Sequence, residues 1–201
     1  MVLNEAVTKE TFLKIQSPAI LHLSLHGCFV NEQVLSEVNS TVRSQYTDRW
    51  SRAWLLMEGF QYADSQLPKS IITAKEIFAM NLDGTQLVVL SACNTTLGDS
   101  SSATGTASMN QAFIIAGAQA IITTLWEIND FVTCLFMEEF YKQLITGSDC
   151  LTALDATKVI IRQKKMRDQN DNNVSLEHPY FWSAFQLYGN AVRPIIEKPS
   201  P

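Results

Sequence analysis

The sequence predicts a three-layer α/β (αβα) sandwich with a mostly parallel sheet at its centre. Two segments, residues 86–92 (QLVVLSA) and 119–125, are near-continuous apolar runs rich in β-branched residues, the pattern of strands buried on both faces. A third, residues 20–26 (ILHLSLH), alternates Leu21, Leu23 and Leu25 with His22, Ser24 and His26, which is the two-residue period of a strand. Segments with helical spacing lie between the strands, and strands that alternate with helices pair in parallel through crossovers.

Each element follows in order. Residues 4–16 set Val7, Phe12 and Leu13 among polar residues, a short helix with Asn4 as its cap. Ser17-Pro18 ends it, because the residue before a proline is pushed out of the α region. The alternating strand comes next, with His26 at its end just before Gly27. Residues 30–53 are polar and weakly patterned, a surface loop with partial helix, and residues 54–57 and 67–72 pair as a small hairpin. Thr73, Ala74, Lys75 and Glu76 have the spacing of a capping box ahead of Ile77, Phe78 and Met80. The strand at 86–92 runs directly into Cys93. Residues 98–108 (GDSSSATGTAS) read as a polar loop, 109–116 as a helix stopped by Gly117, and 119–125 as the next buried strand. Apolar residues at 131, 135, 136, 140 and 144 form a helical stripe ahead of Gly147. A further helix at 151–161 runs on into the basic residues 162–167, and a polar loop covers 168–177. Residues 181–188 make a last strand ending at Gly189. Residues 1–190 form one domain with no repeat and no linker, and 191–201 are a flexible tail.

Composition narrows the function classes. The 201 residues carry 15 Lys plus Arg against 20 Asp plus Glu, a net charge of −5, so no basic excess exists to neutralise phosphates and nucleic acid is not the expected partner. The basic run 162–167 (RQKKMR) is short and offset by Asp168 and Asp171, the solvated end of a helix. The longest apolar stretch, 113–126, is shorter than the roughly 20 residues that span a bilayer, so no membrane is expected. MVLNEAVTKE lacks the basic and apolar regions of a signal peptide, which points to a cytoplasmic chain with reduced thiols. Four cysteines do not make a disulfide scaffold, three scattered histidines do not make a zinc site, and residues 100–105 lack the Lys and second Gly of a phosphate loop. No metal or organic cofactor is expected.

In open α/β sheets ligands sit beyond the carboxyl ends of the strands. Two strands end there with reactive groups, one in His26-Gly27 and one in Ala92-Cys93. If those strands are neighbours, an imidazole and a thiol share one crevice despite their distance in sequence. A thiol with a pKa near 8.5 is mostly protonated at pH 7 and needs a base beside it. His26 fits that role, and the amides of Gly27 and Cys93 are natural oxyanion donors. Each residue also has a plainer reading: His26 as a strand-end residue with a structural hydrogen bond, Cys93 as a small buried apolar group. His22 lies four residues back on the same strand, roughly 13 Å at 3.3 Å per residue, and reads as a core histidine. Cys28 reads as packing, His178 as structural before Pro179, and Cys134 and Cys150 as core or surface thiols of helices. Asp130 reads first as the cap of the helix from Phe131, and Tyr180, Phe181, Trp182 and Phe185 as core.

These residues resemble a known family. HGCF after ILHLSLH, then LVVLSACNTTLG, QAFIIAGAQAIITTLWEIND and HPYFWSAFQLYGN, in this order over roughly residues 4–190, look like a CHAT domain, the caspase-like domain found behind tetratricopeptide repeats and related to separases and caspases. The resemblance implies a caspase-type fold and a Cys–His dyad, its histidine on His26 and its nucleophile on Cys93. It also implies that Asp130 or Glu127 could act as a pocket acid selecting a basic side chain in a peptide. The sequence departs from the family pattern in three places. Asn94 stands where an acid usually follows the cysteine, and in the Gly-Glu-Gly run Thr104 takes the Glu slot and Ser108 the later Gly. The caspase-type sheet has strands ahead of its histidine strand, whereas only 19 residues precede Ile20. A truncated chain with an open edge at the histidine strand is therefore expected.

The function expected on these grounds is a cysteine endopeptidase acting on a protein or peptide substrate, with tetratricopeptide repeats in the same or a partner chain. The alternatives are a non-catalytic interaction module of the same fold and, more remotely, an acyl transferase or hydrolase using the same pair.

Overall fold

The computed structural model describes residues 8–30, 35, 36, 40–57, 67–91, 102–167, 173–190 and 195. A four-stranded sheet lies at the centre, built from β1 (Ile20–Ser24), β5 (Leu87–Ser91), β6 (Ala120–Thr124) and β9 (Phe185–Gly189) in the order β1-β5-β6-β9. The first three are parallel and β9 runs antiparallel to β6. A second, three-stranded antiparallel sheet, β2-β3-β4, joins β2 (His26–Phe29), β3 (Ala53–Leu56) and β4 (Ile71–Thr73).

Alternation along the central strands sorts side chains into two cores, one per face. Val88, Leu90 and Ile121 face a core with Phe12, Leu55, Ile72, Ile77 and Phe113. Leu87, Val89, Ala120 and Ile122 face the other, with Phe136, Phe140, Leu154, Ile161 and Phe185. Helix α5 (Ser102–Ile115) packs on the first face and against β2 and β3, while α6 (Asp130–Ile145) and α7 (Cys150–Ile161) pack together on the second. The protein is thus an α/β sandwich with a mostly parallel central sheet, as its sequence implies.

Local signals account for most boundaries. Helix α1 (Lys9–Leu13) starts at Thr8, whose side chain accepts from the Thr11 amide; Asn4 lies outside the described residues. Both capping-box bonds at Thr73 and Glu76 are made, opening α4 (Ala74–Ile77) after α2 (Ser40–Arg43) and α3 (Leu67–Ser70). Gly117 (φ 113°) stops α5: its N–H donates to Ile114 O at 3.0 Å and the Ala118 N–H donates to Phe113 O at 3.1 Å, the two bonds of a Schellman motif.

Several elements differ from the expectation. Helix α5 begins at Ser102, so residues 102–108 are helical rather than loop. The basic run ends in β7 (Lys165–Arg167), which pairs with β8 (Asn173–Ser175) inside the expected polar loop. The last strand starts only at Phe185, after a short 3₁₀ turn, Pro179–Phe181, that His178 caps by accepting from the Tyr180 amide. Phe131, counted in the apolar stripe, is 58% exposed, and Val132 is buried instead. Of the expected tail, only Ile195 is described, and it packs against the second core.

Candidate functional site

The change of sheet fixes the position of His26. Strand β1 ends at Ser24, Leu25 is a single linking residue, and His26 opens β2. The expected single strand through His26 is therefore two strands in two sheets. In β2 the Val30 N–H donates to Arg52 O at 2.9 Å, and the register pairs Cys28 with Trp54 and His26 with Leu56. Hydrogen-bonded pairs of an antiparallel ladder recur every second residue. The main chain of His26 and Cys28 therefore engages β3, while the Gly27 N–H is turned away from it.

Strands β1 and β5 are parallel neighbours, with Ser24 opposite Ser91. A cavity of about 610 Å³ opens at the carboxyl end of the sheet. Ser24, Leu25 and His26 border it from one side, and Ser91 and Thr124, the last residues of β5 and β6, from another. One face of α6 closes it with Asp130, Thr133, Cys134, Met137, Glu138 and Tyr141. Cys93 lies outside the described residues; it follows Ser91 by two positions.

The lining is acidic. Asp130 and Glu138 contribute carboxylates, and among the described residues no Lys or Arg lines the cavity. Glu138 is paired with Lys142 at 2.8 Å on the exposed face of the helix. Asp130 occupies the first helical position and is not the cap: the Asn129 side chain accepts from the Phe131 amide and takes that role. Glu127 is exposed and does not line the cavity, and its carbonyl accepts from the Tyr180 hydroxyl at 2.7 Å.

His22 departs from the core reading. Its ring lines the cavity, reaches solvent, and is hydrogen-bonded through Nδ1 to the Tyr141 hydroxyl at 2.8 Å. Partial burial in this concave surface lowers the His22 pKa, and burial pushes the Tyr141 phenol up to about 12. Tyr141 and Glu138 were not singled out from the sequence. Their signal was there: 130, 134, 138 and 141 fall on one side of a helix.

The other cysteines separate by environment. Cys28 packs with Val30, Leu35, Tyr46, Trp54 and Ile71, as expected of a packing residue. Cys150 is buried at the start of α7, and burial pushes its thiol up to about 11. Cys134 is exposed and lines the cavity. Among the described residues no group of His, Cys, Asp and Glu could hold a metal ion, and no helix is long and apolar enough to cross a membrane.

A family model of the CHAT domain matches residues 1–190. Tetratricopeptide repeat protein 28 of Homo sapiens is 26% identical over 127 residues, which is 63% of this chain and 5% of that protein. The Mus musculus protein of the same name is 27% identical over 127 residues, again 63% of this chain and 5% of its own length. The chain therefore matches only a small part of these relatives.

Proposed function

The chain belongs to the CHAT domain family, which is related to caspase-like peptidases, and from that premise we propose a cysteine endopeptidase whose nucleophile is Cys93 and whose base is His26. One observation carries the reading: Ser91, the last residue of β5, and His26, two residues beyond the end of its parallel neighbour β1, border the same cavity. Cys93 follows Ser91, the last residue of β5, by two positions in the sequence, and the reading rests on that succession.

In the proposed cycle His26 takes the Cys93 proton and the thiolate attacks the peptide carbonyl carbon. The Gly27 N–H, turned away from β3, and the Cys93 N–H stabilise the oxyanion. Collapse breaks the C–N bond, His26⁺ gives its proton to the leaving amine, and water then hydrolyses the thioester. Asp130, on the cavity wall with no Lys or Arg among the described lining residues, selects a basic side chain at the cleaved bond; the position of Glu127 speaks for no such part. The curated relatives carry tetratricopeptide repeats in their name, and such repeats are the proposed recruiting partner.

The test is a peptide-library cleavage assay on four proteins. Cys93→Ala and His26→Ala are expected to abolish cleavage with the fold retained, while Cys28→Ala keeps it. Robust cleavage by Cys93→Ala refutes Cys93 as the nucleophile, and absence of cleavage by the unsubstituted protein refutes the peptidase and leaves an interaction module.

A further inference from the structure

Strands β5 and β6 end level with one another at the cavity. Their register sets Leu90 opposite Thr123, which carries Ser91 beside Thr124, the last residues of the two strands. Side chains alternate between the faces of a sheet. Val89 and Ile122 belong to the second core, so Ser91 and Thr124, two residues further on, share that face, and both line the cavity. Helix α6 packs on the same face, and Asp130 and Thr133 line the same cavity from its start.

Ser91 is half-buried, whereas Thr124 is 4% exposed and its Oγ1 is shut off from solvent with no hydrogen-bond partner. Among the described residues Thr85 Oγ1 and the Asn110 side-chain amide are in the same condition, but neither lines the cavity. A buried hydroxyl gives up its bonds to water, and without a partner nothing offsets that loss. The main chain around it is fixed: Thr124 pairs with Phe185 of β9, and the Leu125 N–H donates to Ala184 O at 3.0 Å. That leaves rotation about χ1, between staggered positions about 120° apart, to bring the hydroxyl to the cavity beside it.

We propose that Thr124 sets a preference of this pocket for arginine over lysine: its hydroxyl accepts an N–H of a guanidinium whose other N–H groups are held by Asp130. The inference deepens the peptidase reading and rests on it for the peptide that carries the side chain. A guanidinium has five N–H donors in a planar fork. A carboxylate engages two of them, and the others need acceptors once the group leaves bulk water. The Thr124 hydroxyl is an acceptor of that kind and brings no second charge. An ammonium is compact and holds its hydration more strongly, so a hydroxyl adds less to its binding. An acid alone accepts both cations, whereas an acid with an unpartnered hydroxyl beside it separates them.

The experiment uses the whole chain and two variants: Thr124→Val, which keeps the branched shape and removes the hydroxyl, and Thr124→Ser, which keeps the hydroxyl. The probes are paired peptides from the cleavage library, identical except for Arg or Lys at the cleaved bond. The ratio of kcat/KM for arginine over lysine is expected to fall about tenfold in Thr124→Val and to stay within about twofold in Thr124→Ser. Urea denaturation is run on the same proteins, and Thr124→Val is expected to be no less stable than the unsubstituted chain, because no internal bond is lost. A lower midpoint for Thr124→Val overturns the proposal, since the hydroxyl then has a partner within the fold. An unchanged ratio in Thr124→Val overturns it and leaves the peptidase standing. An equal fall in both variants overturns it too, since packing and not the hydroxyl then sets the ratio. If the unsubstituted chain cleaves no peptide, the peptidase reading fails and the pocket is read directly, by NMR titration of the Thr124 and Thr133 amides with n-propylguanidinium and n-butylammonium. Tighter binding of n-propylguanidinium, weakened about tenfold by Thr124→Val, supports the pocket, whereas equal binding of the two cations, or no effect of the substitution, overturns it.

Discussion

A comparison of the four thiols tests the site and the core at once. Cys150 is 1% exposed and its thiol is pushed up to about 11. At pH 7 that leaves about 0.01% thiolate, roughly 300-fold less than an unstructured thiol of pKa about 8.5. Cys150 and the buried Cys28 are expected to resist iodoacetamide until the protein unfolds, while exposed Cys134 labels in the native state. The proposed role of Cys93 makes a sharper demand. Paired with an imidazole, a thiol of pKa about 6 would be about 24% ionised at pH 5.5, against about 0.1% for the unstructured thiol. Lower basicity also lowers nucleophilicity, by about 13-fold over 2.5 pKa units at a Brønsted slope near 0.45. The product is a rate advantage of about 20-fold at pH 5.5, falling to about twofold at pH 7, and reversed to about sevenfold slower at pH 8.5. The assay is time-resolved labelling at the three pH values, read by mass spectrometry, with a cysteine peptide in the same tube. A Cys93 rate that parallels the peptide at every pH refutes the ion pair. Native labelling of Cys150 at the Cys134 rate refutes the packing of α7.

Two further predictions concern stability. Gly84 and Gly117 both have positive φ, 88° and 113°, but a Cβ at Gly84 meets nothing within 4 Å, whereas one at Gly117 would lie against the Asp83 carboxylate and 2.7 Å from its amide nitrogen. Gly84→Ala should cost about 1 kcal/mol from backbone strain alone and Gly117→Ala about 2–4 kcal/mol, measured by urea denaturation; equal midpoints would mean that the Schellman turn at Gly117 does not approach Asp83 this closely. The lowered His22 pKa has a defined sign in linkage: the unfolded chain binds the proton more readily, so stability rises with pH between the folded value and the unfolded value of about 6.5, and is lost as pH falls through that window. His22→Gln should flatten the thermal-midpoint profile just below about pH 6.5, and an unchanged slope there would place the titration elsewhere.

The sequence revealed elements wherever one local rule decided them. The strands β1, β5 and β6 were legible because burial on both faces, or strict alternation, leaves few other solutions. The capping box at Thr73 and the stop at Gly117 are chemistry confined to a few residues. The failures share a cause, which is tertiary context. Residues 102–108 are rich in Ser, Thr and Gly, weak helix formers, yet α5 includes them. The β7–β8 hairpin hid in a charged run because both strands expose most of their side chains. Asn129 and Asp130 compete for one cap, and both residue types suit it. His22 was misplaced because alternation tells which face a side chain takes but not where the sheet ends; with no described strand beyond β1, the face that would be core becomes a cavity wall.

The same edge explains why the candidate site has the shape it does. A strand that continued past Ser24 in the central sheet would carry the residue at position 26 away from β5, in line with Ser24. Instead the chain pivots at Leu25, and His26 pairs with Leu56 in a different sheet. His26 is thereby held by two ladders at once: β1 against β5 upstream, and β2 against β3 downstream. Its main chain is used up in bonding while its ring stays exposed, and the next residue, Gly27, keeps its N–H pointing away from β3. A strained loop could present the same two groups only by ordering itself on binding, whereas here packing of Leu23, Leu55 and Ile72 in one core fixes both sheets beforehand. Preorganisation of the proposed base and oxyanion donor is therefore a property of the sheet junction and not of the cavity lining. Changes to the lining, such as Asp130→Asn, should alter which side chain is accepted, while changes to the junction, such as a residue inserted after Leu25, should remove activity altogether by shifting His26 from its bonded register with Leu56.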